Sequence, residues 1–162
     1  MNIHEHTTPE KLERYAFLWS LARMVIAAVS LFFGAVPIVY TILGSRVGYS
    51  LLPLFWIISG IAAIYLGYQW YKSGMNVFGG QDQKNKIAFV VMVVTGINLG
   101  FAGIDTNIGM GLIAGMPVAG ILFKLTALIY LFVAWHLFKK WKANGEHLFG
   151  GQLAKTSPQE AN

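Results

Sequence analysis

Cysteine is absent from this chain of 162 residues. The protein therefore forms no disulfide, and it has no thiolate for metal binding, for nucleophilic catalysis or for c-type haem attachment. Charge is scarce as well: charged residues make up 12% of the sequence, against about 25% in an average soluble domain. Acidic residues are the rarer kind, at 7 against 12 Lys and Arg. An ordinary soluble domain is therefore not expected.

The scarcity of polar groups also leaves no recognisable catalytic set. No two carboxylates share one apolar segment, so the pair needed for general acid–base catalysis is missing. Neither a Gly-x-Ser-x-Gly nor a His-Glu-x-x-His motif occurs. His4 and His6 flank Glu5, but a metal site needs at least three well-placed ligands. We expect a protein that is not an enzyme, with no metal and no cofactor; the missing acid–base set also argues against an enzyme acting on lipid or quinone.

Apolar sequence is what the chain has in abundance. Hydrophobic residues make up 56% of it, and charge-free runs cover 24–45, 47–71, 87–104 and 106–123. Because about 20 apolar residues cross the hydrocarbon core of a bilayer as a helix, we predict an all-α integral membrane protein with four transmembrane helices. The expected spans are 21–43, 53–71, 87–105 and 118–138. Segment 106–116 fits a loop, a re-entrant piece or the start of the fourth helix.

Local signals place the ends of the first two helices. Thr8 and Pro9 are typical of a helix start, and the mixed stretch 11–20 predicts an interfacial turn that leads into the first span. Pro37 lies inside that span, where it would introduce a kink. Segment 44–50 is the predicted turn between the first and second spans.

A repeat shows how the helices are organised. Residues 70–81 align without a gap to residues 141–152, and six of the twelve positions are identical, ending in Phe-Gly-Gly-Gln. Average residue usage gives about one identity by chance. We therefore predict two tandem helical hairpins in one membrane domain, 1–81 with an N-terminal juxtamembrane helix and 82–152, followed by a disordered tail, 153–162.

The basic residues predict how the hairpins sit in the membrane. Ten of them flank the N-terminus, the loop between spans two and three, and the C-terminus, whereas Arg46 and Lys124 lie on the other side. Basic residues stay cytoplasmic, so both termini and both Phe-Gly-Gly-Gln loops should face the cytoplasm, in an inner or plasma membrane. The copies should then be related by an axis along the membrane normal. Basic residues that sit beside apolar segments do not indicate a nucleic-acid partner.

The repeated loop is the most specific motif. Its glycines predict helices that end in a left-handed residue at Gly74 and Gly145. One interpretation is an interfacial turn that was duplicated with the hairpin, and the other is a paired docking surface. Phosphate binding is disfavoured because the Lys-Ser/Thr of a P-loop is missing. The predicted partner-binding residues are Trp70, Phe78, Gly79, Gly80, Gln81, Trp141, Phe149, Gly150, Gly151 and Gln152.

Polar residues in the spans suggest a second kind of site. Asn98 in the third span is either interhelical glue or a substrate contact. Asp105 and Lys124 could pair near the outer ends of adjacent spans, or remain a solvated carboxylate and a snorkelling lysine. Together the three residues mark a candidate transport path. Arg23 is expected to snorkel to the interface, and the Gly96, Gly100 and Gly103 stripe predicts close helix packing.

These observations predict a small non-enzymatic subunit of a larger membrane assembly, or a homo-oligomer. Glycine-striped helices and the paired Phe-Gly-Gly-Gln loops would contact the partners, which are membrane lipid and other membrane subunits or further copies of this chain. The alternative is a small pseudo-symmetric transporter or channel with its polar path near Asn98, Asp105 and Lys124.

Overall fold

In a computed structural model that describes residues 8–105 and 107–149, the regular secondary structure consists of α-helices. Its helices are α1 (Pro9–Phe32), α2 (Ile38–Lys72), α3 (Gln83–Ile104), the short α4 (Ile108–Ala114) and α5 (Ala119–Ala143). The four longer helices, α1, α2, α3 and α5, are each long and apolar enough to cross a membrane. The prediction of an all-α chain with four such helices is confirmed.

Helix α1 starts where the sequence predicts a helix start, and it runs into the apolar segment without the predicted interfacial turn. The Thr8 hydroxyl caps it by accepting a hydrogen bond from the Lys11 amide at 3.4 Å, and Pro9 is the first helical residue. The charged stretch 11–20 is part of the same helix as the apolar residues that follow it. No turn separates the two.

The predicted boundary between the first two spans is wrong, whereas the predicted end of the second span near residue 71 agrees with the end of α2 at Lys72. Helix α1 ends at Phe32 rather than near residue 43, because Gly34 and Ala35 adopt left-handed φ values of +91° and +64°. Pro37, expected as a kink inside the first span, instead caps α2 and leaves no N–H for a helical hydrogen bond. The true turn is therefore 33–37. The expected turn at 44–50 is helical apart from a kink at Gly44, where φ is +76°.

The third and fourth spans lie close to the prediction. The Asp82 carboxylate caps α3 by accepting a hydrogen bond from the Lys84 amide at 3.0 Å, and Asp105 follows its last residue. Helix α5 begins at Ala119, directly after the predicted start at Val118, and extends past Phe138 to Ala143. The sequence left segment 106–116 open, and its described residues, 107–116, contain the two-turn helix α4.

The four long helices form a closed ring in which α1 contacts α2 and α5, and α3 contacts the same two helices. The most extensive contacts join α2 to α3. The start of α1, the end of α2, the start of α3 and the end of α5 meet at one end of the ring, which we call the basal end. The opposite end, with turn 33–37 and α4, is the distal end. Much of the buried core, including Phe17, Phe89 and Trp141, lies toward the basal end.

The glycine stripe of α3 packs against α2 within the chain. A Cβ atom at Gly60 would lie 2.7 Å from the Gly100 Cα, and one at Gly96 would lie 2.5 Å from the Ala63 Cβ. A Cβ atom at Gly103 would lie 2.8 Å from the Pro53 carbonyl oxygen. Small residues at these positions let the two backbones approach, which is how helices associate in lipid. The helix that packs closely against the glycine stripe of α3 is therefore α2.

Candidate functional site

Two parts of the molecule bring polar or repeated residues together: the loops at the basal end and the interior around Arg23. The loops come from the repeated segments, and their helix ends match closely. Gly74 and Gly145 have φ values of +71° and +66°. In each copy the residue after the glycine donates its N–H to the carbonyl of the motif tryptophan, at 3.0 Å for Trp70 and 2.9 Å for Trp141. The predicted left-handed glycine ends are confirmed.

The two loops are joined to each other. The Phe78 N–H donates to the Leu148 carbonyl at 2.7 Å. Val77 and Leu148 are 0% and 1% exposed, so the junction is anchored by apolar side chains. A tight turn closes the first loop, where Val77 and Gly80 form an antiparallel bridge and Gly79 has a φ of +70°. The loops therefore form one connected layer across the basal end.

Aromatic rings fasten this layer to the helices. We call the set the aromatic cluster: Phe17, Trp70, Phe78, Phe89, Trp141 and Phe149. On one side of the cluster, the Phe17 ring of α1 lies 5.6 Å from the Trp141 ring and 6.4 Å from the Phe78 ring, centroid to centroid. The Phe17–Phe78 pair is edge-to-face at 77°, a favoured arrangement.

On the other side of the cluster, a helix phenylalanine again packs against one tryptophan and one phenylalanine. The Phe89 ring of α3 lies 5.5 Å from the Trp70 ring and 5.5 Å from the Phe149 ring, and the Phe89–Phe149 pair is edge-to-face at 84°. Each helix phenylalanine is thus held between the tryptophan of one repeated segment and the phenylalanine of the other.

The aromatic residues predicted to bind partners are mostly engaged inside the chain. Phe78 and Trp141 are buried at 8% and 2% exposure, and Trp70 and Phe149 are half-buried. Gly79 and Gln81 are exposed, and Gly80 is partly exposed. The remaining three predicted residues lie outside the described part of the chain: Gly150, Gly151 and Gln152. Of the predicted residues that the structure describes, Gly79 and Gln81 are therefore the exposed ones.

Charged side chains lie along one side of the loop layer. Arg14 pairs with Glu146 at 2.8 Å, Lys142 pairs with the same carboxylate, and His147 lies 3.4 Å from Glu10. The Lys142 hydrogen bond, together with the positive charge of Arg14, lowers the pKa of Glu146 below its ordinary value. A cleft of about 390 Å³ lies between the start of α1 and the second loop, and its lining includes Glu10, Arg14, Glu146 and His147.

The residues of the candidate transport path lie apart in the structure. The Asn98 side chain donates to the Asn107 side-chain oxygen at 3.0 Å and accepts from the Gly109 amide at 3.0 Å, which fixes α4 to α3. Asp105 and Lys124 are both exposed, and in residues 8–105 and 107–149 no ion pair joins them. Asn98 thus links two helices.

Arg23 lies in the interior, and the expectation that it snorkels to the interface is wrong. It is 6% exposed, its Nη1 donates to the Thr95 hydroxyl at 3.3 Å, and its Nη2 donates to the Met92 carbonyl. A Cβ at Gly96 would lie 2.6 Å from Nη2, so the glycine makes room for the guanidinium. Spacing in a single sequence could not pair Arg23 with a glycine on α3, which is why its role was missed.

Among the described residues, no three His, Cys, Asp or Glu side chains are grouped so that they could hold a metal ion. His136 instead forms a hydrogen bond of 2.9 Å with the buried Asn85, linking α5 to α3. Comparisons of the chain with models of protein families, with curated proteins and with solved structures find no match.

Proposed function

We propose that this protein is a non-enzymatic subunit of a membrane assembly that docks an acidic segment of another membrane subunit at its basal end. The observation that carries the proposal is the connected layer of the two repeated loops. Its largest side chains are fixed in the core, so its exposed turn is held in one conformation. A preorganised surface loses little entropy on binding.

Charge supports the choice of an acidic partner. Exposed lysines ring the basal end on three helices: Lys72, Lys84, Lys139 and Lys140. Complementary charge speeds and orients association. The same lysines favour placing this end in the cytoplasm, in which case both termini would face the cytoplasm as well.

The matched geometry of the two loops supports a duplicated hairpin. A left-handed glycine follows the end of both α2 and α5, and each helix phenylalanine packs between the tryptophan of one repeated segment and the phenylalanine of the other. In our proposal, two copies with the same orientation surround an axis along the membrane normal. The partner then contacts a single face of the bundle to which both loops contribute in a pseudo-symmetric way.

Charge reversal at the basal end tests the proposal. We expect the double variant Lys84→Glu with Lys140→Glu to release the partner, because four units of charge change on the docking surface. The double variant Arg46→Glu with Lys124→Glu makes the same charge change at exposed distal positions and should keep the partner. The measurement is the mass of the native complex extracted in mild detergent.

A native mass equal to one chain of 17.9 kDa would contradict the subunit proposal. A whole multiple of it would identify the partner as further copies of the chain. Equal behaviour of the two double variants would reject docking at the basal end while leaving the assembly itself intact.

A small transporter or channel is the second candidate, and buried Arg23 is the observation that favours it. Charged residues inside membrane bundles often mark ion or substrate pathways. In this proposal Arg23 and Thr95 lie mid-path, and Asn98, Asp105 and Lys124 lie toward the distal mouth. Liposomes that contain only this protein should then show anion flux, and Arg23→Gln should reduce the flux at least about tenfold. No flux from the pure wild-type protein at any pH would exclude the transport proposal.

A further inference from the structure

The seam between α1 and α5 carries two cavities, one polar and one apolar. The polar cleft of about 390 Å³ lies at the basal end, and its lining includes Glu10, Glu13, Arg14 and Glu146. The apolar groove, of about 470 Å³, is lined by Leu21, Val25, Leu131, Ala134, Trp135 and Phe138. Both volumes lie in the range of about 300–1,000 Å³ that is typical of small-molecule sites.

The two cavities follow one another along the same pair of helices. Phe17 and Trp141 line the polar cleft. Leu21, one turn further along α1, and Phe138, one turn back along α5, line the apolar groove. Residues three or four apart share one face of a helix. The cleft and the groove therefore lie one turn apart on one side of the bundle, and a single elongated molecule can reach both.

Both cavities have exposed side chains in their walls. Val25, Trp135 and Phe138 are exposed at the apolar groove, and Glu10 and Arg14 are exposed at the polar cleft. Both α1 and α5 are long and apolar enough to cross a membrane. A ligand therefore reaches the groove from the lipid and the cleft from the membrane surface, without passing through the packed core.

The polar cleft carries both signs of charge. Glu10, Glu13 and Glu146 contribute carboxylates to its lining, and Lys11 and Arg14 contribute cations. The carboxylates repel a head group that has only negative charge, and the basic side chains repel one that has only positive charge. A ligand with one ammonium and one phosphate group is complementary to both.

The groups along α1 have the same order as the parts of a phospholipid. Glu10, Arg14, Phe17, Leu21 and Val25 follow one another at intervals of three or four residues, so they share one face of the helix. At 1.5 Å per residue, Arg14 lies about 6 Å beyond Glu10, and Leu21 lies about 10.5 Å beyond Arg14. From the basal end inward, the face thus offers a site for an ammonium, then for a phosphate, then for an acyl chain.

We propose that the seam between α1 and α5 binds one phospholipid whose head group carries a primary ammonium, such as phosphatidylethanolamine. Its ammonium donates to Glu10 and Glu13, and an acyl chain fills the apolar groove. Its phosphate accepts from Arg14. A guanidinium has five N–H donors, and the pair with Glu146 engages Nη2, so Arg14 can bind both anions at once. The site does not depend on a protein partner at the basal end.

The polar cleft distinguishes a primary ammonium from a quaternary one. A primary ammonium donates hydrogen bonds to carboxylates, whereas the trimethylammonium group of choline has no N–H and is ordinarily bound by aromatic rings. The Trp141 ring in the cleft already has two cations near it, with Arg14 and Lys142 at 5.6 Å and 5.3 Å from its centroid. Phosphatidylcholine should therefore bind more weakly than phosphatidylethanolamine.

The test uses the purified full chain after exhaustive detergent exchange. It is titrated separately with phosphatidylethanolamine, phosphatidylcholine and phosphatidylglycerol that have identical acyl chains, and native mass spectrometry measures the bound lipid. We expect one phosphatidylethanolamine per chain, bound at least about tenfold more tightly than either of the other two lipids. Any other order of affinities, equal affinities or no binding would overturn the proposal.

The double variant Glu10→Gln with Glu13→Gln tests the ammonium contacts. It should abolish the preference for phosphatidylethanolamine, whereas Asp105→Asn, which changes an exposed carboxylate at the distal end, should keep it. If the double variant does not fold, Glu10→Gln alone changes an exposed side chain and should lower the preference at least about threefold. A merely structural role does not distinguish lipids by head group, so an unchanged preference would overturn the proposal.

Phe138→Ala tests the apolar groove, because it removes part of the groove wall. It should weaken the binding of phosphatidylethanolamine at least about threefold. Phe132→Ala is the matched control: it makes the same change on α5 at a side chain that is 65% exposed and does not line the groove. We expect it to leave the affinity unchanged. Equal effects of the two variants would show that the lipid does not lie in the groove.

Discussion

Phe17→Ala is expected to lower the free energy of unfolding by about 3 kcal/mol, at the lower end of the range for buried phenylalanines. The lower end applies because lipid weakens the hydrophobic part of the loss, so that packing remains the main term. Phe17 is 0% exposed, and its ring contacts both Phe78 and Trp141. The substitution therefore removes the ring that joins Phe78 of the first loop and Trp141 of α5 to α1. Reversible unfolding in SDS–detergent mixtures, followed by circular dichroism, measures the loss.

Phe101→Ala is the matched control, since this phenylalanine of α3 is 49% exposed. We expect it to change the free energy by less than about 1 kcal/mol. Phe17→Leu keeps most of the volume and should recover more than half of the loss. A Phe17→Ala protein as stable as the Phe101→Ala protein would show that the aromatic cluster does not hold the basal end together.

Gly100→Ala is expected to destabilise the protein by about 1–3 kcal/mol, although alanine in place of a helical glycine ordinarily stabilises. The added Cβ would lie 2.8 Å from the Gly60 Cα. The clash is with backbone, so a side-chain rotation cannot relieve it, and α2 must move away from α3. The loss should appear in the same unfolding measurement.

Gly120→Ala supplies the opposite expectation for the same chemical change. Nothing lies within 4 Å of a Cβ at Gly120, so the ordinary gain of about 0.5–1 kcal/mol should be seen. Because Gly60 and Gly100 touch, the double variant Gly60→Ala with Gly100→Ala should not be additive. Stabilisation by Gly100→Ala would contradict the close α2–α3 approach.

Sequence patterning predicted the number of long helices because charge-free runs of sufficient length are distinctive. It misplaced the first turn, since segment 24–45 contains no charge to mark the break. Helix α1 ends where Gly34 and Ala35 adopt left-handed φ values. Gly34 and Pro37 are sequence signals for a helix end, but the apolar run continues through them, so the pattern predicts one span. The start of the fourth span was predicted from the repeat, which aligns Lys124 with Pro53 of the second span.

The candidate site was predictable in part. The repeat located both loops, but similarity between two segments does not show that Phe78 turns into the core. Arg23 stood out only as a charge near an apolar run. Its inward direction depends on Gly96 and Thr95 of a different helix, and that pairing exists only in three dimensions.

The proposed orientation is tested most directly by single cysteines in a chain that has none of its own. Gln81→Cys and His147→Cys mark the two repeated loops, and Gly115→Cys marks the distal end; all three positions are exposed. In intact cells, a membrane-impermeant maleimide should modify only Gly115→Cys, and both loop cysteines should react after permeabilisation. Modification of either loop cysteine from outside would contradict the proposal that both repeated loops face the cell interior.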